Sequence, residues 1–184
     1  MTTAYPHLQS GLTLVELLSS LAIFSIVFGV ALPQFVELWE RWKVQHTLQA
    51  LQSSLLLARS EAIQRAGHIG IQKIDNEKNG CQNAGTNSEW GCGWVVYHDL
   101  DGNGSWNSKK DKLLQEIKLD GSVYVMHSSG GKTIKFDRYG MASGLNAKGF
   151  TLSPERTGIA SAATATLCMG SGGRIRIVQD AGCT

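Results

Sequence analysis

The sequence predicts an α+β protein in which one long N-terminal helix packs on an antiparallel β-sheet domain. Residues 12–66 have the pattern of a single helix, apolar on all sides at its start and on one face farther along. Residues 67–184 hold most of the 21 glycines and a series of short alternating segments, typical of strands joined by turns. A helix followed by successive strands predicts an α+β domain at residues 67–184.

The first part of the helix is apolar enough to cross a membrane. From Leu12 to Leu32 the only charged residue is Glu16. A helix of this length spans a hydrocarbon layer of about 30 Å, so residues 12–32 are predicted to be transmembrane. An unpaired carboxylate there costs about 2.5–3.5 kcal/mol, so Glu16 needs a partner. The best candidate is the amine of a new N-terminus.

The second part of the helix has apolar residues on one face only. They recur at spacings of three and four residues, which predicts a buried stripe that docks onto a sheet. The stripe consists of Val44, Leu48, Leu51, Leu55, Ala58 and Ala62, and the opposite face carries Gln45, Gln49, Gln52, Arg59 and Gln64.

Eight segments after the helix have the composition of strands. They are residues 68–74, 93–98, 112–119, 122–127, 132–137, 149–153, 163–169 and 174–178. Asp120-Gly121 stands between the third and the fourth, which predicts a β-hairpin there.

The four cysteines form two close pairs in the sequence, at spacings that match neither a zinc site nor a redox motif. An N-terminal span would deliver the domain to an oxidising compartment, where disulfides form. Three connectivities are possible, and we favour the local pairs, each closing a loop worth about 3 kcal/mol. These pairs are Cys81 with Cys92 and Cys168 with Cys183.

The N-terminal segment resembles the processing site of type IV prepilins and type II secretion pseudopilins. The resemblance rests on Gly11, the apolar stretch that follows it, and Glu16 five residues later. It implies that residues 1–11 are a leader peptide, that a prepilin peptidase cuts between Gly11 and Leu12, and that the new amine is methylated. Glu16 is then expected to pair with that amine, in its own chain or in a neighbouring subunit, during assembly with other pilins. An ordinary signal anchor with a chance glutamate is the alternative.

Three downstream phrases resemble the GspH/FimT-type minor pilins, a branch of the same superfamily. They are GCGWVVYHDLDGNG at 91–104, IKFDRYG at 134–140 and GRIRIV at 173–178. The resemblance implies a type IV pilin-like fold and a single-pass inner-membrane protein with a periplasmic C-terminal domain. It also implies later incorporation into a pilus or pseudopilus, at or near the tip.

The C-terminal third is basic, with seven Lys/Arg against three Asp/Glu in residues 130–184. Alternation in a strand places Arg174 and Arg176 on one face and buries Ile175 and Ile177 on the other. In FimT-like pilins the Gly-Arg-x-Arg element is associated with DNA uptake, so the resemblance implies contact with double-stranded DNA. Lys132, Lys135 and Lys148 are candidates to extend the patch. The alternative is a structural pilin or pseudopilin that primes assembly without binding DNA.

The sequence indicates neither an enzyme nor a cofactor. The five histidines lack a metal-ligand spacing, and His98 beside Asp99 is explained by strand-end packing. Residues 99–105 resemble the start of an EF-hand loop, but Lys110 stands where the bidentate Glu belongs. We interpret this segment as an Asp/Asn/Gly turn and predict no metal site, with calcium binding by the loop as the alternative.

Overall fold

The structure is a computed structural model that describes residues 13–76, 80–143, 148–170 and 172–183, without the side chains of 30–34 and 148. Its one long helix, α1, covers Leu14–Gln64. The strands are β1 (Ile69–Lys73), β2 (Gly93–His98), β3 (Lys112–Lys118), β4 (Val123–His127), β5 (Thr133–Phe136), β6 (Lys148–Pro154), β7 (Ala165–Met169) and β8 (Ile175–Val178). A short 3-10 helix, Gly158–Ala160, precedes β7.

The chain divides into two compact units, one ending at Leu38 and one beginning at Trp39. In the first unit α1 exposes those large apolar side chains that the structure describes, from Leu14 at 75% to Leu38 at 63%. Among the described residues, no helix combines the length and the apolar character that crossing a membrane requires.

In the second unit the strands form two four-stranded antiparallel sheets. The first sheet has the order β3-β2-β1-β5 and the second β4-β6-β7-β8. All six residues of the predicted stripe on α1 are at most 1% exposed, which confirms that prediction. They share one core with side chains of both sheets, including Trp94 and Ile134 of the first and Phe150 and Leu167 of the second.

The predicted hairpin around Asp120-Gly121 is wrong. β3 pairs with β2, whereas β4 pairs with β6, so residues 119–122 connect the two sheets. The side chain of Asp120 accepts the backbone N–H of Ser122 at 2.9 Å, a local Asx-type turn that leaves the two strands free to diverge. The other edge of β4 is occupied by residues 88–90, since His127 N–H donates to the Ser88 carbonyl.

Two disulfides hold loops to the sheets. Cys81 is bonded to Cys92, and Cys168 is bonded to Cys183, the local pairs that the sequence analysis favours. Buried Lys73 fastens the loop between β1 and β2 as well, because its ammonium donates to the carbonyls of Ala84 and Thr86 at 2.5 and 2.6 Å. A buried ammonium is tolerated only with such partners.

Candidate nucleic-acid interface and assembly residues

The Gly-Arg-x-Arg element lies at the start of the last strand of the second sheet. Gly173 N–H donates to the Gly170 carbonyl at 2.8 Å, and Gly170 N–H donates to the Arg174 carbonyl at 2.9 Å, which closes a tight turn between β7 and β8. Arg174 directly precedes β8, and Arg176 lies on it opposite Cys168. Both arginines are exposed.

The isoleucines of this strand do not both lie in the core. Ile175 is half-buried and packs against the main core, as alternation predicts. Ile177 is 38% exposed, so its predicted burial is wrong. β8 is the outermost strand of its sheet and only four residues long, and the core reaches it only at the Ile175 end. The contact of β8 with the main core is therefore near Arg174, whereas the strand pairs with β7 along its whole length.

Two of the three candidate lysines belong to the first sheet instead. Lys132 precedes β5, and Lys135 lies on β5 opposite Gly70. The ammonium of Lys135 lies directly over Gly104, at the position that a methyl group on that glycine would occupy. Lys148 begins β6 in the second sheet, and its side chain is outside the described part of the structure. The structure thus places Lys135 beside the 99–105 loop.

A residue that the sequence analysis assigned to the polar face of α1 supports the arginine element. Nη1 of Arg59 donates to the Gly173 carbonyl at 3.0 Å. Gly173 has a φ of +76°, and a methyl group on it would lie 3.0 Å from the guanidinium. Both facts require glycine at this position, because L side chains rarely adopt this φ. Arg59 adjoins Ala58 of the buried stripe, but the spacing of the stripe does not indicate these contacts.

The 99–105 loop is held by its own carboxylates. Asp99 accepts the N–H groups of Gly102 and Gly104 at 2.8 and 2.7 Å. Asp111, one position after Lys110, brings its carboxylate within 4.8 Å of those of Asp99 and Asp101. Asp111 itself accepts backbone N–H groups, and Lys110 lies 3.4 Å from Asp101. These bonds form a turn, as expected, while the prediction that the loop holds no metal ion stays a prediction.

Asp99, the neighbour of His98, has a structural role in the loop. Both oxygens of Asp99 serve the loop amides. Burial, together with the nearby charge of Arg65, holds the pKa of His98 below its ordinary value. The neutral imidazole is thereby favoured at the end of β2.

In the first unit, Glu16 caps the start of α1. Its Oε2 accepts the backbone N–H and the hydroxyl of Thr13, each at 2.9 Å, and its own N–H donates to the Thr13 hydroxyl at 3.3 Å. This reciprocal arrangement is a capping box, which satisfies N–H groups that the first turn leaves unpaired. Gly11 and Leu12, the predicted processing site, lie outside the described residues.

Comparison with protein families identifies the chain. The family described as "Type II transport protein GspH" matches residues 47–182, which include both sheets and about the last third of α1. The chain belongs to the GspH family. A second family, the "Prokaryotic N-terminal methylation motif", matches residues 6–32. The match covers Gly11, Leu12 and Glu16, so the N-terminus of this GspH protein has the sequence of a prepilin.

Solved structures share the fold of this GspH protein. Two crystal forms of the type IV minor pilin FimU from Pseudomonas aeruginosa, P65 and P21, superpose with TM-scores of 0.55 and 0.58. They are 19% and 20% identical to this chain, cover 73% and 76% of it, and are themselves covered to 91% and 90%. A comparison with curated protein sequences gives no match. The structural likeness confirms the predicted pilin-like α+β fold.

Proposed function

We propose that this GspH protein is a minor type IV pilin that is processed, anchored in the inner membrane and incorporated into a pilus, where it binds DNA. Residues 1–11 are the leader, prepilin peptidase cuts before Leu12, and residues 12–32 hold the chain in the membrane with its C-terminal domain in the periplasm. The observation that carries this proposal is the methylation motif over residues 6–32, followed by the GspH match from residue 47.

In this proposal, Glu16 pairs with an N-terminal amine and so sets the position of the subunit relative to its neighbours. Its carboxylate is already oriented by Thr13 at the first turn of α1, and Thr13 directly follows in sequence the residue whose amine cleavage before Leu12 would create. A positively charged amine next to Glu16 would lower the free-energy cost of placing its carboxylate in an apolar environment.

A test of assembly uses Glu16→Gln, with Glu37→Gln on the same helix as the matched control. We expect Glu16→Gln to be processed to a methylated Leu12 terminus, as mass spectrometry would detect, but to be lost from sheared filaments. Glu37→Gln should enter filaments at the level of the parent. Equal incorporation of both variants would contradict the role of Glu16.

DNA binding is assigned to Arg174 and Arg176. Both guanidinium groups are exposed at one end of an edge strand, and Arg59 holds the turn that carries Arg174. Guanidinium groups suit phosphate through their planar fork of donors. Contact with the phosphate backbone is insensitive to sequence and weakens as salt rises. Lys132 and Lys135 near β5 of the first sheet, and Lys148 at the start of β6, would add to the overall positive potential.

The test is a titration of the oxidised, mature chain in detergent with a labelled DNA duplex at several salt concentrations. A plot of log K against log[salt] has a negative slope, and each lost phosphate contact makes it shallower by about 0.9. Arg174→Gln/Arg176→Gln should therefore make the slope shallower by about 1.8. Lys109→Gln/Arg156→Gln removes the same charge from two other exposed residues and should leave the slope unchanged. No binding by the parent at low salt would overturn the DNA role.

A structural role without DNA is the second candidate. It is favoured by the family description itself, which is that of a type II transport protein. In that case the chain primes a pilus or a type II secretion pseudopilus, Glu16→Gln still blocks incorporation, and the DNA titration is negative.

A further inference from the structure

A second turn with an exposed arginine lies next to the arginine element. It connects β5 to residue 142, and its backbone is organised by Asp137. The Asp137 carboxylate accepts the N–H groups of Tyr139 and Met141, each at 2.9 Å, while its carbonyl accepts the N–H of Gly140. The acidic side chain is thus occupied inside the turn. Arg138 and Tyr139 are exposed at its tip, Tyr139 by 70%.

Arg59 touches this turn as well as the arginine element. A methyl group on Gly140, which has a φ of +72°, would lie 2.8 Å from Cγ of Arg59. At its other end the same side chain donates to the Gly173 carbonyl. The two turns therefore contact the two ends of one arginine side chain. Their exposed neighbours, Arg138 and Arg174, belong to one surface.

The end of α1 holds the Arg138 turn in place. A methyl group on Gly67 would lie 3.4 Å from the backbone nitrogen of Arg138, and Ile63 packs against Gly140. The position of Arg138 thus depends on contacts with the helix that are independent of Arg59. Replacing the exposed Arg138 side chain leaves these contacts intact.

We propose that the DNA-binding surface continues from Arg174 across Arg59 to Arg138, with Arg138 binding the phosphate backbone and Arg59 acting as a positioning residue. This inference rests on the proposed function and extends it from one strand to two turns from different sheets. Arg59 fixes the spacing between the turns, so that Arg138 and Arg174 reach phosphates of the same DNA molecule. The half-buried Arg59 acts through the turns it holds.

The first test replaces Arg138 and measures the salt dependence of duplex binding by the full mature chain in detergent. Arg138→Gln should make the negative slope of log K against log[salt] shallower by about 0.9. Arg156→Gln is the matched control, because Arg156 adjoins Thr157, whose hydroxyl donates to Glu40. Glu40 lies about 28 Å before Arg59 along α1. The control should keep the parent slope.

The second test asks whether Arg59 works through Arg174. Arg59→Met keeps the apolar stem and removes the hydrogen bond to Gly173, and we expect about tenfold weaker binding. In the background of Arg174→Gln, the same replacement should weaken binding by no more than about twofold, since coupled residues are not additive. An independent phosphate contact, or a general loss of stability, would instead give the full tenfold effect in both backgrounds.

The outcomes separate this inference from the proposed function. If the parent does not bind duplex DNA, or binds it without Arg174 and Arg176, the proposed function and the extension both fail. If binding needs Arg174 and Arg176 but Arg138→Gln keeps the same slope as Arg156→Gln, the extension alone is overturned. Should Arg59→Met fail to fold, the exposed Arg138 still decides the matter.

Discussion

From Leu14 to Leu38, α1 exposes its described large apolar side chains on all sides, whereas from Val44 onward it buries a stripe of them along one face. Leu14 and Phe35 are 75% and 67% exposed, while Leu48 and Leu51 are 0% exposed. Both parts belong to one helix, so helix formation alone does not determine which residues are covered. A stripe with helical periodicity is covered by the chain's own sheets. The described large apolar side chains between Leu14 and Leu38 remain exposed in this chain.

The largest expected effect comes from a cavity under the stripe. Leu51→Ala should lower the free energy of unfolding by about 2–5 kcal/mol, because it removes a fully buried side chain from the shared core. Leu17→Ala makes the same chemical change where the side chain is 54% exposed, and it should leave domain stability unchanged. Denaturant unfolding followed by tryptophan fluorescence measures both. Equal losses would contradict the division of α1 into two functionally different parts.

A smaller effect is expected from a buried hydroxyl beside the stripe. Ser54 is 0% exposed, and its Oγ lies 2.7 Å from Oε1 of Gln115 and accepts the indole N–H of Trp94 at 2.9 Å. Ser54→Ala leaves the buried indole donor without this partner, which should cost about 1–3 kcal/mol. Ser53→Ala is the control, since the exposed Ser53 hydroxyl bonds only to the Ala50 carbonyl of its own helix. Alanine is the better helix former, so Ser53→Ala should be neutral or slightly stabilising. A stability loss as large as that of Ser54→Ala would show that the loss does not come from the buried bond to Trp94.

The stripe and the strands could be predicted because their signals are local. Spacings of three and four residues located the six buried positions of α1, and alternation placed the strand segments to within about two residues. Pairing is a different matter. β3 and β4 follow each other in sequence with a turn between them, yet they belong to different sheets. β4 pairs with β6, which lies more than 20 residues away in sequence.

The candidate sites divide in the same way. The exposed arginines were found from four adjacent residues, whereas the role of Arg59 depends on glycines 81 and 114 positions farther along the chain. No periodicity in α1 contains that information. The capping box of Thr13 and Glu16 has a local sequence signal, a threonine followed three residues later by a glutamate. The sequence analysis interpreted Glu16 only as a charge that needs a partner.

The smallest expected effect concerns this capping box at the exposed end of α1. Thr13→Ala removes the hydroxyl that accepts Glu16 N–H, and a lost N-cap costs about 1 kcal/mol. In detergent, hydrogen exchange of the amides in the first turn should be about five times faster, since that ratio corresponds to about 1 kcal/mol. Ser20→Ala is the control, because the Ser20 hydroxyl donates to the Glu16 carbonyl within the helix and caps nothing.

The position of the change distinguishes the two parts of α1. Fraying at Thr13 should stay within the first turns and leave the unfolding of the domain unaltered, since the first unit ends at Leu38 and the shared core begins at Val44. Faster exchange at the buried stripe in Thr13→Ala would show that the helix opens as one cooperative unit. The exposed and buried parts of α1 would then differ in the exposure of their side chains but not in the free energy of local opening.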